Sequence, residues 1–440
     1  MINNFFKKRI KTTHEILGIT TQGFKLSLTD EEKYKYLSSL LNKNSKSEHV
    51  LYIHVPFCNK ICSFCPFFSI PKLVKDDYHT LIINYLDSIK NYPYFQKPIR
   101  GIYFGGGTPT ALKPKQIEAI LQKIYDCFEL TPNCEISLES SIKELSDEMI
   151  NTLKANKVNR LSIGIQSFDD NSRKIFNRAT RSNVAIEKIK TLQDKGFTNI
   201  GIDLLYNYSW QTNDTLIKDL EIINSLKLAG VSIYSLNLFE KTPLYDKLST
   251  EERATFADAS KEEHNYNLIK NSLVKYGYSI NQMRKAIRAN LDNCIYLNNA
   301  DDFGEVIAIG VGAGGWIGDY QYYSYNPMMK TKDLNISPMG NVLHPKAKIY
   351  RSLISSMEKE VIDFSIYSKL LNIDIMQTLA KELVLLEKNN LIRLTKNGYV
   401  INQDSWFYSV SIITYLVQEL LKKDVDYKVT EKINFINLFD

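Results

Sequence analysis

Between residues 50 and 239, six short β-rich runs recur at intervals that leave room for a helix between each. They are VLYIHV (50–55), IRGIYFGG (99–106), EISLES (135–140), RLSIGIQS (160–167), NIGIDLLY (199–206) and VSIYSLNLF (231–239). Stretches with helical periodicity fill the gaps, among them KPKQIEAILQKIYDCF, SDEMINTLKAN and NDTLIKDLEIINSLKLAG, and ADASKEEHNYNLIKNSLVKYG follows the last run. Repeated strand–helix alternation predicts a parallel sheet with helices outside it. Right-handed crossovers roll such a sheet into a barrel or part of one, with chemistry at the C-terminal ends of the strands. The expected fold is therefore α/β, a partial (β/α)6 barrel of the TIM type over residues 49–280.

The flanks read differently. Residues 1–48 form a polar extension with one expected helix, TDEEKYKYLSSLLNK, and no chemical motif. Over 281–340 the pattern loosens into IAIGVGAGGWIGDYQYYSYN (307–326), too glycine-dense for an ordinary strand and expected to complete the active site. Residues 341–440 read as an α+β, winged-helix-like domain. It has helical stretches near 347–359 and 375–389, two β runs turning at Asn397-Gly398, and the closing amphipathic SWFYSVSIITYLVQELLKK.

Charge and hydropathy exclude some classes. The net charge of +6 comes from lysines scattered along the 440 residues, so nucleic-acid binding is not indicated and an anionic small molecule is suited equally well. No apolar run approaches the length of about 18 residues that a membrane span needs, and MINNFFKKRIKTTHEILG lacks a signal-peptide core. A cytoplasmic location is expected, with reduced thiols available as ligands.

Three of the six cysteines, Cys58, Cys62 and Cys65, fall in HVPFCNKICSFCPFF (54–68) as C-x-x-x-C-x-x-C. Thiolates suit zinc or iron–sulfur clusters. A structural zinc site takes four closed ligands, commonly from two C-x-x-C pairs, and Cys127, Cys134 and Cys294 are scattered. Three ligands on one loop fit a 4Fe-4S cubane in which one iron lacks a protein ligand. The loop begins three residues after the first run ends, and other unusual residues fall on the same rim. GGGTP closes the second run, Glu139 the third and Gln166 the fourth, while Asp203 lies within the fifth. GGGTP lacks the Lys-Ser/Thr of a phosphate loop, so its glycines are read as letting backbone approach a small ligand. Taken singly, Glu139, Gln166, Asp203, Tyr52 and Arg178 read as ordinary packing or surface residues.

YIHVPFCNKICSFC followed by GGGTP on the next strand resembles the radical S-adenosylmethionine (SAM) enzymes. More narrowly, the chain is similar to the oxygen-independent coproporphyrinogen III dehydrogenase group, which also holds heme chaperones, tetrapyrrole-modifying methyltransferases and cyclopropanases. The likeness runs from about residue 50 to 325, through LSIGIQSF, IGIDLLY, IYSLNL and GVGAGGWIG. It implies that Cys58, Cys62 and Cys65 hold a 4Fe-4S cluster whose open iron chelates SAM, and that these cysteines and Tyr52 form the catalytic set. An electron from the reduced cluster would then cleave the sulfonium to give a 5′-deoxyadenosyl radical. It also implies two SAM molecules. Tyr52, Phe64, Gly106 and Glu139 match positions lining the first. Gly107, Thr108, Gln166, Arg178 and Asp203 match the second, with Asn237 a looser match. The implied partners are a tetrapyrrole, heme or coproporphyrinogen III, and a low-potential electron donor such as flavodoxin or ferredoxin.

Three departures separate the branches. Phe67 stands where the decarboxylating dehydrogenase typically carries a fourth cysteine. GYSINQMRKAIRANLDNC lacks the histidine of the heme-chaperone branch. YNYSWQT (206–212) replaces Tyr-Gly-Leu-Pro-x-Gln, so that Tyr208 and Trp210 either face a flat macrocycle or fill space. GVGAGGWIG looks most like the anaerobic heme-utilisation methyltransferases, which methylate heme, open the ring and release iron. That activity is the first expectation. Coproporphyrinogen III dehydrogenase and a heme chaperone without turnover are the alternatives.

Overall fold

The structure is a computed structural model that describes residues 5–66, 76–289, 291–300, 303–323, 340–430 and 433–439. All six runs form strands: β1 (His49–Val55), β2 (Ile99–Gly106), β3 (Leu130–Ser140), β4 (Arg160–Gln166), β5 (Asn199–Tyr206) and β6 (Gly230–Ser235). They lie side by side in chain order, and every neighbouring pair is parallel. The crossover helices owe their seating to apolar stripes. Helix Pro114–Cys127, for example, buries Ile117, Ile120, Leu121 and Ile124, the i, i+3, i+4, i+7 pattern of one helix face. On the strands, Leu51, Ile53, Phe104, Leu138, Leu161, Ile163, Ile202 and Leu204 alternate with polar or small residues and join those helices in the main core.

The sheet is open and reaches twelve strands. On one side of β6 lies the antiparallel hairpin of β7 (Ser279–Gln282) and β8 (Lys285–Ile287). Beyond β1 comes β9 (Glu305–Ile309), which is parallel, and then antiparallel β10 (Gly314–Ile317), β11 (Tyr320–Tyr323) and β12 (Asn341–Val342). The glycine-dense stretch therefore does form strands, contrary to the sequence expectation. The reason is steric: a Cβ on Gly315 would sit 2.2 Å from the Tyr322 ring, so the small residue makes room for its aromatic neighbour. The sixth run is also shorter than expected. Strand β6 stops at Ser235, after which the Leu236 N–H donates to the Tyr206 carbonyl at 2.8 Å and the chain turns along the rim.

The C-terminal part combines helices Lys346–Ser356, Ser365–Leu371, Ala380–Lys388 and Ser409–Leu421 with a three-stranded sheet. Its strands are β13 (Val361–Asp363), β14 (Ile392–Leu394) and β15 (Gly398–Ile401), in the order β13-β15-β14. The N-terminal segment laces this part to the large sheet. Lys7 N–H donates to the Leu438 carbonyl at 3.0 Å, Arg9 Nε to the Phe407 carbonyl at 3.0 Å, and Ile10 N–H to Ser411 Oγ at 2.9 Å. Beside the expected helix (Asp30–Leu41, closed by a Thr29–Glu32 capping box) there is a further one, His14–Gly23. Its HEILGITTQG carries glycine and β-branched residues that favour helix poorly, so tertiary packing of buried Ile16 and Gly23 sustains it. Among the described residues, no helix is long and apolar enough to cross a membrane.

Candidate active site

Strand register gathers the polar residues of alternate positions onto one face. Tyr52, Tyr103, Ser137 and Arg160 are neighbours across β1–β4. Glu139, Ser162, Gly201 and Gly230 form the next row across β3–β6, and Gly164, Asp203, Ser232 and Lys285 the one after it, from β4 to β8. This face is polar where a filled barrel would be aliphatic. Its floor is an ion cluster. Arg160 Nε donates to Asp292 Oδ1 at 2.9 Å, and Lys285 Nζ to Asp292 Oδ2 at 2.8 Å. Gly230 is small by necessity, because a Cβ there would lie 2.3 Å from Asp292 Oδ2. Burial alone would raise the Asp292 pKa, but Arg160 and Lys285 outweigh it and hold the carboxyl down at about 2.

At the rim, the cysteine loop is stitched to two other segments. Ser63 Oγ donates to the Ile175 carbonyl at 2.7 Å, Asn177 Nδ2 to the Ile61 carbonyl at 2.8 Å, and Leu244 N–H to the Ser63 carbonyl at 2.8 Å. Cys62 Sγ accepts from Arg178 Nη1 at 3.0 Å, and Cys58 Sγ lies 3.4 Å from Thr108 Oγ1. Burial pushes the Cys58 thiol up, Thr108 opposes this, and the neighbouring Cys62 and Cys65 push it further. Phe64 packs edge-on to Phe176 at 5.2 Å. Tyr208 and Trp210 flank the same Phe176 at 5.1 and 5.5 Å, in a small apolar cluster of their own. They fill space behind the cysteine loop. Phe67 lies outside the described residues.

The GGGTP segment approaches this loop closely. Gly107 N–H donates to the Val55 carbonyl and Thr108 N–H to the Phe57 carbonyl, both at 2.8 Å. A Cβ on Gly107 would lie 2.6 Å from the Phe57 oxygen. Gly106 adopts φ +112°, and a Cβ there would press on the His54 ring at 2.8 Å. Its N–H donates to Glu139 Oε2 at 3.2 Å, while Tyr103 Oη donates to Oε1 at 2.7 Å. Burial pushes the Glu139 carboxyl up to about 7 against the pull of Tyr103. Burial likewise raises Asp203, opposed by Lys285 and Ser232. Tyr52 Oη and His54 Nδ1 are hydrogen-bonded at 2.8 Å.

Gln166 ends β4 at φ +72°, where a register slip after Gly164 re-aims the strand. Arg178 Nη2 binds the Gly164 carbonyl. Tyr52, Gly106 and Glu139 thus adjoin one another, and Gln166 and Arg178 meet at Gly164 with Asp203 across the strand pair. Phe64 stands apart, behind the loop. Asn237 lies in a cleft with Tyr234, Ser235, Arg284 and the N-terminal Arg9 and Lys11. Lys11 Nζ reaches Ser235 Oγ at 3.3 Å and Glu262 at 3.1 Å. The contributions of Arg9, Lys11, Tyr103, Arg160 and Asp292 were missed in the sequence. The period-two pattern R-x-S-x-G, repeated as E-x-S-x-E and G-x-S-x-Y on neighbouring strands, was the available signal for the inward face that carries Arg160.

The residues fit an iron–sulfur cluster and a small ligand beside it. Among the described residues, no three His, Cys, Asp or Glu side chains converge on one ion. A cubane asks instead for thiolates on separate irons, which a three-cysteine loop supplies. The absence of side chains at Gly106 and Gly107 lets this turn pack directly on the His54 ring and on the Phe57 backbone next to the cysteine loop.

The model of the Radical SAM superfamily matches residues 52–220. Curated relatives include the heme chaperone HemW of Lactococcus lactis, 29% identical, covering 70% of this chain and 81% of that one. They also include anaerobilin synthase of Escherichia coli, 30% identical over 63% of each chain. The solved structure of the Escherichia coli coproporphyrinogen III oxidase HemN superposes with a TM-score of 0.73 at 20% identity, covering 93% of this chain and 99% of that one. At that identity the likeness speaks for the fold. Radical SAM proteins carry a 4Fe-4S cluster and SAM.

Proposed function

From residues 52–220 being a radical SAM domain, we propose that this chain is an enzyme acting on a tetrapyrrole, methylating heme with ring opening and release of iron. The observation that carries this reading is the meeting, on one rim, of the cysteine loop, the Gly106–Gly107 turn packed against it and Glu139 beside a cleft edged by Lys11 and Arg284. Lys11 is shared with Glu262 and Arg284 with Glu358, a charged edge that suits a planar substrate bearing carboxylates. Likeness to anaerobilin synthase and HemW supports the macrocycle. Phe67 in place of a further cysteine favours methyl transfer over propionate decarboxylation, and the lack of histidine between Gly277 and Cys294 disfavours chaperone-type heme ligation.

Cys58, Cys62 and Cys65 would hold the cluster. When bound, cluster and SAM supply one-electron cleavage of a sulfonium and thereby hydrogen abstraction. The chain's part is to position and to exclude water. Arg178 donates to the Cys62 sulfur and so tempers its charge. Tyr52, Gly106 and Glu139 line one SAM, with Phe64 set back behind the cysteine loop, and Gly107, Thr108, Gln166, Arg178 and Asp203, with Asn237 at the edge, line a second. A cytoplasmic flavodoxin or ferredoxin would supply the electron.

The test is a parallel anaerobic incubation of the reconstituted protein with heme or coproporphyrinogen III, SAM and a low-potential reductant. Methylated, ring-opened product from heme, lost in Cys62→Ala, supports the reading. Decarboxylation of coproporphyrinogen III with intact heme replaces it with the dehydrogenase. Heme that stays whole and passes to an acceptor replaces it with the chaperone.

A further inference from the structure

We infer that Tyr103 is a positioning residue that clamps the Glu139 carboxylate toward the SAM it lines. This rests on the assignment of Glu139 to the SAM site proposed above. Tyr103 is only 7% exposed, so it acts through Glu139 and not by touching a ligand. Both carboxylate oxygens are held from the β2 side, Oε1 by the phenol at 2.7 Å and Oε2 by the Gly106 N–H at 3.2 Å. Each oxygen keeps a further lone pair for a donor in the lumen.

The phenol is itself immobilised. Its ring stacks on Tyr296 with centroids 4.5 Å apart and planes inclined by 25°, and on Tyr52 at 6.2 Å. Tyr296 also stacks on Tyr52, at 5.2 Å. Tyr296 is delivered by a segment docked at two points: Asp292 on Arg160 and Lys285, and the Ile295 N–H on Glu135 Oε1 at 3.0 Å. A single inserted segment thereby sets the wall from which Glu139 is held.

The chemistry of the hydrogen bond gives the direction of effect. An ionised Glu139 accepts from the phenol, whereas the burial around it favours the neutral acid. Tyr103 is the strongest group opposing that burial. The other charged and titratable groups facing Glu139 are Asp203 on β5, Arg160 on β4, Tyr52 on β1, Tyr234 on β6 and Tyr296. Tyr103→Phe keeps the stack and removes the donor, so the acid form should persist to higher pH.

Two readouts test this on the reconstituted full chain. The first is SAM affinity against pH by equilibrium dialysis. The second, without SAM, is the infrared carbonyl band of protonated Glu139, identified by its loss in Glu139→Gln. Tyr103→Phe should raise the half-point in both by about one pH unit, which weakens SAM binding about fivefold at pH 7 and about tenfold well below it, and leaves it unchanged in alkali. Tyr296→Phe should move neither. An unmoved infrared half-point in Tyr103→Phe overturns the inference. An infrared half-point that moves while SAM affinity is flat with pH in the native protein overturns instead the placing of Glu139 in the SAM site.

Discussion

Arg178 spans the rim with one guanidinium, Nη1 donating to Cys62 Sγ at 3.0 Å and Nη2 to the Gly164 carbonyl. The cysteine loop is thereby tied to the fourth strand by a cation aimed at the Cys62 sulfur, a proposed cluster ligand. Hydrogen bonds to cluster sulfurs raise reduction potential because they stabilise the more negative, reduced state. Arg178→Ala should lower the cluster midpoint potential on the order of 60 mV, the one-electron equivalent of about 1.4 kcal/mol. Potentiometric titration followed by electron paramagnetic resonance checks this, and an unchanged midpoint would leave Arg178 a packing residue.

Gly107 faces carbonyl oxygen where a side chain would stand. Gly107→Ala should displace the Phe57 backbone next to Cys58, costing at least about 1 kcal/mol of stability and part of the iron content. Chemical denaturation and iron assay after reconstitution measure both.

Among the described residues, the Asp292 carboxylate is the one that ion-pairs with both Arg160 and Lys285. Asp292→Ala strands two buried cations and should cost about 3–5 kcal/mol. In the native protein the folded pKa is depressed from 3.8 to about 2. Its contribution is therefore complete above about pH 4 and drains away as pH falls through about 2. Acid unfolding of the native chain against Asp292→Asn reads this window.

Glu139 behaves oppositely. Its folded pKa is raised from 4.5 to about 7, so the protein is favoured at low pH and loses that advantage as pH rises through about 7. Glu139→Gln should stabilise the SAM-free chain above neutrality, on the order of 1 kcal/mol after allowing for its partial exposure, while abolishing SAM binding. Thermal melts at acid and alkaline pH, with and without SAM, separate the two effects.

Much of this was legible in the residues. Strands at 99–106 and 199–206 match the runs to the residue, because buried parallel strands are continuous, β-branched and bounded by turn residues. The cysteine loop, Gly106 and Glu139 were legible by their place at strand ends. Tyr103 and the Arg160–Asp292 pair were not, since each depends on register between strands or on a contact over 132 residues of chain. Helix His14–Gly23 was hidden for another reason: its residues favour helix poorly, and the C-terminal part holds it, with Tyr427 packed on Gly23 and donating to the Ile19 carbonyl. The strands of the glycine-rich stretch were obscured because Gly315 is explained by Tyr322 across the hairpin, which local composition does not reveal.

The proposed radical methyl transfer on heme would consume the macrocycle and leave a spectral signature. The most direct measurement is the anaerobic absorption spectrum of heme with the reconstituted protein, SAM and reductant, followed by mass analysis of the products. Loss of the Soret band with S-adenosylhomocysteine and a methylated linear tetrapyrrole is the predicted result. An unchanged Soret band, with SAM cleaved and the heme intact, would contradict it.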